Sequence, residues 1–157
     1  MSSSTQLKDW CKQHKVTHFK GVFCSDQINE VPSQNNFGVI FNYDPHTKDG
    51  SHWVACRKEG HEASWFDSYG KEPDADDLIL SDKTKFKTWL YSIASTVHVN
   101  KVDVQHLSTD VCGQYSCWFL LHGFPDEDNP AWSWIHPEDT ALNDRTIKQY
   151  VDLPKSK

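Results

Sequence analysis

Apolar residues along this chain change period in a way that separates helices from strands. Leu7, Trp10, Cys11 and His14 recur at i, i+3, i+4 and i+7 behind Ser and Thr residues that can cap, which predicts an amphipathic helix over 5–14. Three short apolar runs, 18–24, 37–43 and 52–57, are separated by Asn, Pro, Asp and Gly and read as strands; a fourth, 63–66, returns after Glu59-Gly60. Phe86, Trp89, Leu90 and Ile93 restore helical spacing and predict a helix over 83–95. Residues 99–105 alternate imperfectly and predict a strand that ends at Gln105. Residues 112–122 are apolar nearly all round, as a helix buried in the centre of a domain would be, and a last helix spans 139–151 with Ile147, Tyr150 and Val151. The sum is an α+β fold, a central buried helix packed on a mostly antiparallel sheet, in one domain over 1–157.

Composition narrows the setting. Of 157 residues, 37% are hydrophobic, and seven Trp, eight Phe and five Tyr are enough to build a core. No apolar run is long enough to span a membrane, and the first residues lack the apolar segment of a secretory signal, so the expectation is a protein made and used inside a cell. Five cysteines, an odd number in a chain too large to need staples, predict reduced thiols. A formal charge of −6, with acidic runs at 72–77 and 126–128, argues against nucleic acid as a partner, because phosphate contacts need clustered Lys and Arg. These runs read as solvated loops, and the first few residues and the end from Pro154 are expected to fray.

The candidate chemistry lies in four places. Cys112 opens Cys-Gly-Gln-Tyr-Ser-Cys, Gln105 stands seven residues before it, and Ser-His-Trp at His52 and Phe-Asp-Ser-Tyr-Gly at Asp67 lie upstream. A thiolate attacks a carbonyl when an imidazole accepts its proton, and the resulting oxyanion needs a donor such as an amide beside a backbone N–H. If Glu59-Gly60 is a two-residue turn, Lys58 faces His61 and, continuing outward, His52 faces Asp67, close enough for the carboxylate to orient the imidazole. An ordinary polar cross-strand pair would have the same spacing. Cys112 at a helix N-terminus gains thiolate character from the helix dipole, and flanking Asp110 and Gly113 suggest a tight, partly exposed entry. Cys117, about 140° further round the helix, belongs in the core. Trp53 reads as packing that shields the imidazole. A metal site fits poorly: His52 and Cys56 are roughly 13 Å apart along a strand, and no Cys-x-x-Cys exists. Ser68 lacks the elbow of a serine nucleophile.

In order and local wording these residues resemble the adenovirus-type (adenain-like) cysteine endopeptidases, over roughly residues 37 to 122. The resemblance implies a protease fold of the adenain/SUMO-protease type, with His52 as base, Asp67 as its acidic partner, Gln105 as oxyanion donor and Cys112 as nucleophile. It implies protein or peptide substrates, viral precursors cut at small residues such as Gly during virion maturation, and neither cofactor nor metal. It places the protein in a host cell, its nucleus included, and in the virion if viral. An isopeptidase acting on SUMO-like or ubiquitin-like conjugates shares the same layout, and a non-enzymatic binding module built on the aromatics is the third reading.

One departure from the resemblance is testable. The adenovirus enzymes join an activating peptide by disulfide to a cysteine eleven residues before the glutamine, with DNA assisting, and here that position is Ala94, flanked by Ile93 and Ser95. Peptide cleavage by the purified chain is therefore expected to need neither a disulfide-linked peptide nor DNA, and to survive replacement of Cys11, Cys24, Cys56 and Cys117. Strong stimulation by DNA in a matched assay would contradict this.

Overall fold

A computed structural model describes residues 2–32, 35–47, 52–73, 85–106 and 109–155. The first helix, α1 (Ser4–Gln13), starts where its sequence can satisfy its own end: Ser3 Oγ accepts the Gln6 N–H while Gln6 Oε1 accepts the Ser3 N–H, and Leu7, Trp10 and Cys11 form the buried stripe. The expected fraying of the termini is not found at Ser2, Ser3 or Pro154. Ser2 O accepts the Trp53 indole N–H, and Pro154 O accepts from Gln6 Nε2 at 2.7 Å.

Five strands follow in spatial order: β1 (Phe19–Cys24), β2 (Asn36–Asn42), β3 (Trp53–Glu59), β4 (Glu62–Phe66) and β5 (Thr96–Val99). The long central ladders, β2 with β3 and β3 with β4, are antiparallel; the outer pairs, β1 with β2 and β4 with β5, are parallel. Each parallel pair needs a crossover. A 3-10 segment over Ser25–Glu30 supplies the first and α2 (Lys85–Ile93) the second. Both crossovers cover the same sheet face, where Phe41, Trp65, Phe86 and Leu90 share a core. On the other face α3 (Cys112–His122) packs with α1 and α4 (Thr140–Tyr150) in a second core that includes Ile40, Ala55, Phe66, Tyr115, Phe119 and Trp132. Burial on both faces explains why β2 and β3 are apolar almost without alternation. Phe66 lies flat against Phe119, ring centroids 5.0 Å apart, and so fixes α3 on the sheet.

The structure corrects the expected hairpin register. Glu59 pairs with Glu62 and Ala55 with Phe66, so the turn residues are Gly60 and His61, with Gly60 at φ +60° in the left-handed region. Extrapolated outward, His52 stands opposite Tyr69 and not Asp67. The shift is by two positions, so the face is unchanged and Asp67 becomes the diagonal neighbour of His52.

The strand expected over 99–105 is also different: β5 runs Thr96–Val99, and 100–105 is irregular. Asn100 ends the ladder, its Oδ1 accepting the Val102 N–H and its Nδ2 donating to the carbonyls of Val102 and Asp67. Beyond it the Val104 and Gln105 N–H groups turn to a single acceptor, Ser68 O. Residues 74–77 of the acidic run and 83–84 of the expected second helix lie outside the described residues. Among the described residues no helix is long and apolar enough to cross a membrane.

Close packing around α3 yields a stability prediction. A Cβ built on Gly113 would lie 2.8 Å from Leu7 Cδ2 and 3.3 Å from Trp53 Cδ1, and Leu7 is itself fully buried. Gly113→Ala is expected to cost about 1–3 kcal/mol by overpacking, read from urea unfolding.

Candidate active site

Three of the four residues singled out in the sequence meet where β3 begins and β4 ends. Asp67 opens the turn after β4, is fully buried, and its charge is met by three donors. His52 Nε2 lies 2.7 Å from Oδ1, the Tyr69 backbone N–H 2.9 Å from the same oxygen, and the Tyr43 hydroxyl 2.7 Å from Oδ2. Its backbone is fixed as well, with Asp67 O accepting from the Gly70 N–H and from Asn100 Nδ2.

His52 precedes β3 and is held between aromatic neighbours, stacked on Tyr69 at 4.8 Å and tilted against Tyr43 at 5.5 Å. Burial disfavours its charged form, but hydrogen bonds to Asp67 and Cys112 and the charges of both outweigh burial and raise His52 from 6.5 to about 10. With Nε2 facing Asp67, the ring's other nitrogen, Nδ1, is left to serve Cys112.

Cys112 is the first residue of α3, as its sequence suggested, but it is 2% exposed, more enclosed than the expected entry. Its sulfur accepts the backbone N–H of Trp53 at 3.3 Å. Trp53 therefore does more than shield the imidazole: its amide contacts the Cys112 sulfur, and its indole is tied to Ser2 O.

Gln105 is buried on the irregular segment leading to Cys112, and its amide is fully engaged. Oε1 accepts from Ser68 Oγ, and Nε2 donates to Thr109 O at 3.0 Å and to Thr109 Oγ1 at 3.2 Å. Its donors thus rest on Thr109, three residues before Cys112.

The remaining cysteines are free thiols with no share in this cluster. Cys117 lies against Cys11, their sulfurs 3.8 Å apart in the core. Burial pushes the Cys56 thiol up to about 12 and raises Cys117, which its contact with Cys11 raises further; burial and then Asp26 and Asp44 raise Cys24. Ala94 is buried against the α2 core. Among the described residues no three His, Cys, Asp or Glu side chains gather as metal ligands.

The sequence reading missed Tyr43, Tyr69 and the Trp53 amide as parts of the cluster. Tyr69 could have been found from the Asp-Ser-Tyr-Gly turn, which folds its N–H back on the Asp67 side chain. Tyr43 could not, since the segment joining β2 to β3 is too long to set a register by turn type.

No protein-family model matches the chain, and no curated protein matches it by sequence. Among solved structures, the ASFV pS273R protease superposes with a TM-score of 0.54 at 18% identity, over 92% of this chain and 65% of that protein's length. A selenomethionyl form of the same protease gives 0.46 at 18% identity over 93% and 66%, and AvrA with IP6 and CoA gives 0.44 at 15% over 74% and 46%; both overlaps are too loose to argue from. The fold is that of the cysteine proteases of the SUMO-protease-like type.

His52 gives a pH prediction. Its pKa in the folded protein lies above the ordinary 6.5, so the proton adds stability in full below about 6.5 and that stability is lost as pH rises through about 10. Urea unfolding from pH 6 to 10 is expected to show wild type losing stability relative to His52→Gln across this window. Parallel curves for the two proteins would contradict the buried ion pair.

Proposed function

We propose that the protein is a cysteine endopeptidase in which Cys112 is the nucleophile, His52 the acid and base, Asp67 the orienting carboxylate and Gln105 an oxyanion donor. One observation carries the reading: Asp67 holds His52 by Nε2, Cys112 adds to the rise of the His52 pKa, and the sulfur lies at the first turn of a buried helix beneath a backbone N–H. An imidazolium beside a sulfur favours the thiolate, which adds to the substrate carbonyl. His52 then gives its proton to the leaving amine, and the released imidazole activates the water that hydrolyses the thioester. Asp67 keeps the ring in one tautomer and supports its charge, with Tyr43 and the Tyr69 N–H keeping that carboxylate solvated by the protein. The oxyanion takes the Cys112 backbone N–H together with one Gln105 N–H that leaves Thr109.

Likeness in local wording to the adenovirus-type enzymes supports viral precursor proteins with small residues such as Gly at the cut as substrates. The fold type equally supports ubiquitin-like or SUMO-like conjugates, so assays offer both Gly-containing peptides and such conjugates.

Cys112→Ala and His52→Ala are each expected to lower turnover by more than roughly 10³-fold, because the two act as one unit, with Asp67→Asn less severe. Gln105→Ala is expected to lower kcat by about 10²–10³ with little change in KM. Substrate cleavage that persists in Cys112→Ala would overturn the assignment, and failure of a peptide vinyl sulfone to label Cys112 would favour a binding module.

A further inference from the structure

Behind Gln105 lies a run of buried polar groups that takes no part in the triad. Asp144 projects from α4 and is 3% exposed. Its Oδ1 accepts from Tyr115 Oη at 2.6 Å, and its Oδ2 accepts from Thr109 Oγ1 at 2.7 Å and the His106 N–H at 3.1 Å. Neighbouring Asn143 donates to Val104 O, so two successive residues of α4 hold the segment that carries Gln105. A carboxylate removed from water needs such donors, and here they come from the segment just after Gln105 and from the helix that begins with Cys112.

The Thr109 hydroxyl has one proton, and whether it goes to Asp144 at 2.7 Å or to His106 O at 3.0 Å, only lone pairs are left facing Gln105 Nε2, which donates to that oxygen. Asp144 is the closer of the two acceptors and a carboxylate, so it has the stronger claim on that proton and biases Thr109 Oγ1 toward accepting from Gln105. Burial, and then the hydrogen bond to Asp144, keeps the Tyr115 phenol far above its ordinary range, so it remains a donor in this network.

We propose that Asp144, through Thr109, is a positioning residue that aims the Gln105 amide and parks one of its N–H groups on a neutral hydroxyl oxygen until a substrate oxyanion takes that hydrogen bond. The oxygen of Thr109 is the resting acceptor, and exchange for a charged acceptor favours the transition state. The proposal rests on the endopeptidase reading and adds to it a requirement for α4.

The test compares Asp144→Asn with wild type, since the amide keeps the volume but turns one acceptor into a donor. Three readouts are needed: steady-state cleavage of a Gly-containing peptide, affinity for a peptide aldehyde, whose hemithioacetal uses the oxyanion site, and Cys112 alkylation by iodoacetamide, which develops no oxyanion. Asp144→Asn is expected to lower kcat about tenfold and weaken the aldehyde by the same factor, with KM and alkylation rate within about twofold of wild type, part of the loss a deleted oxyanion donor gives. Thr109→Val should repeat this pattern and Thr109→Ser restore it, which carries the test if Asp144→Asn does not fold. Unchanged kcat and aldehyde affinity, or an alkylation rate that falls in step with kcat, would overturn the proposal. A wild-type chain that is alkylated but neither binds the aldehyde nor cleaves peptides overturns the endopeptidase reading and this proposal together; a competent wild type matched by its variants overturns this proposal alone.

Discussion

The arrangement depends on keeping Asp67 charged where no water reaches it. A carboxylate withdrawn from solvent carries a desolvation penalty of several kcal/mol unless donors replace the lost water. Its three donors come from three parts of the chain: Tyr43 beyond the end of β2, His52 before the start of β3, and the Tyr69 N–H in its own turn after β4. Each is fixed by a different ladder or turn, so the sheet must be fully formed before the carboxylate is satisfied. The same contacts orient His52, and the imidazole then has one nitrogen free for the sulfur. Charge stabilisation, ring orientation and sheet register are thus one constraint.

The second requirement is that α3 arrive with its first residue at this corner. It is held by apolar packing, with Phe66 against Phe119 and Gly113 allowing Leu7 and Trp53 to approach the first turn. The absence of a side chain at Gly113 lets β3 come close enough for the Trp53 N–H to reach the Cys112 sulfur. Covering both sheet faces, with α1, α3 and α4 on one and α2 with the Ser25–Glu30 segment on the other, leaves the strand ends as the place where polar groups converge.

Asp144 repeats the logic of Asp67 at the segment that carries Gln105. Both are buried acids satisfied by a tyrosine hydroxyl and a backbone N–H, and each fixes the direction of a neighbour, an imidazole in one case and a threonine hydroxyl in the other. Ser68 and Thr109 bracket Gln105 between these two centres, so the amide has one orientation that satisfies both its oxygen and its nitrogen.

What the sequence by itself determined is whatever follows from local periodicity and capping. The four helices sit within two residues of where their apolar spacing put them over the described residues, because a 3.6-residue stripe and an end cap are properties of a short segment. His52 and Asp67 were legible as neighbours despite a turn misplaced by one residue, since an even shift in register preserves the face of a strand. Tertiary structure decided the rest. Tyr43 reaches Asp67 only through the β2–β3 ladder, whose register no short turn sets. The segment 100–105 alternates like a strand, yet Asn100 breaks the ladder and Ser68 collects the next N–H groups. Asp144 reads in sequence as an ordinary helical acid three residues before Ile147, and its burial exists only because α4 closes over a loop joined to it by hydrogen bonds some 35 residues apart in the chain. Contacts of that kind depend on where distant elements pack, and no pattern within one element encodes them.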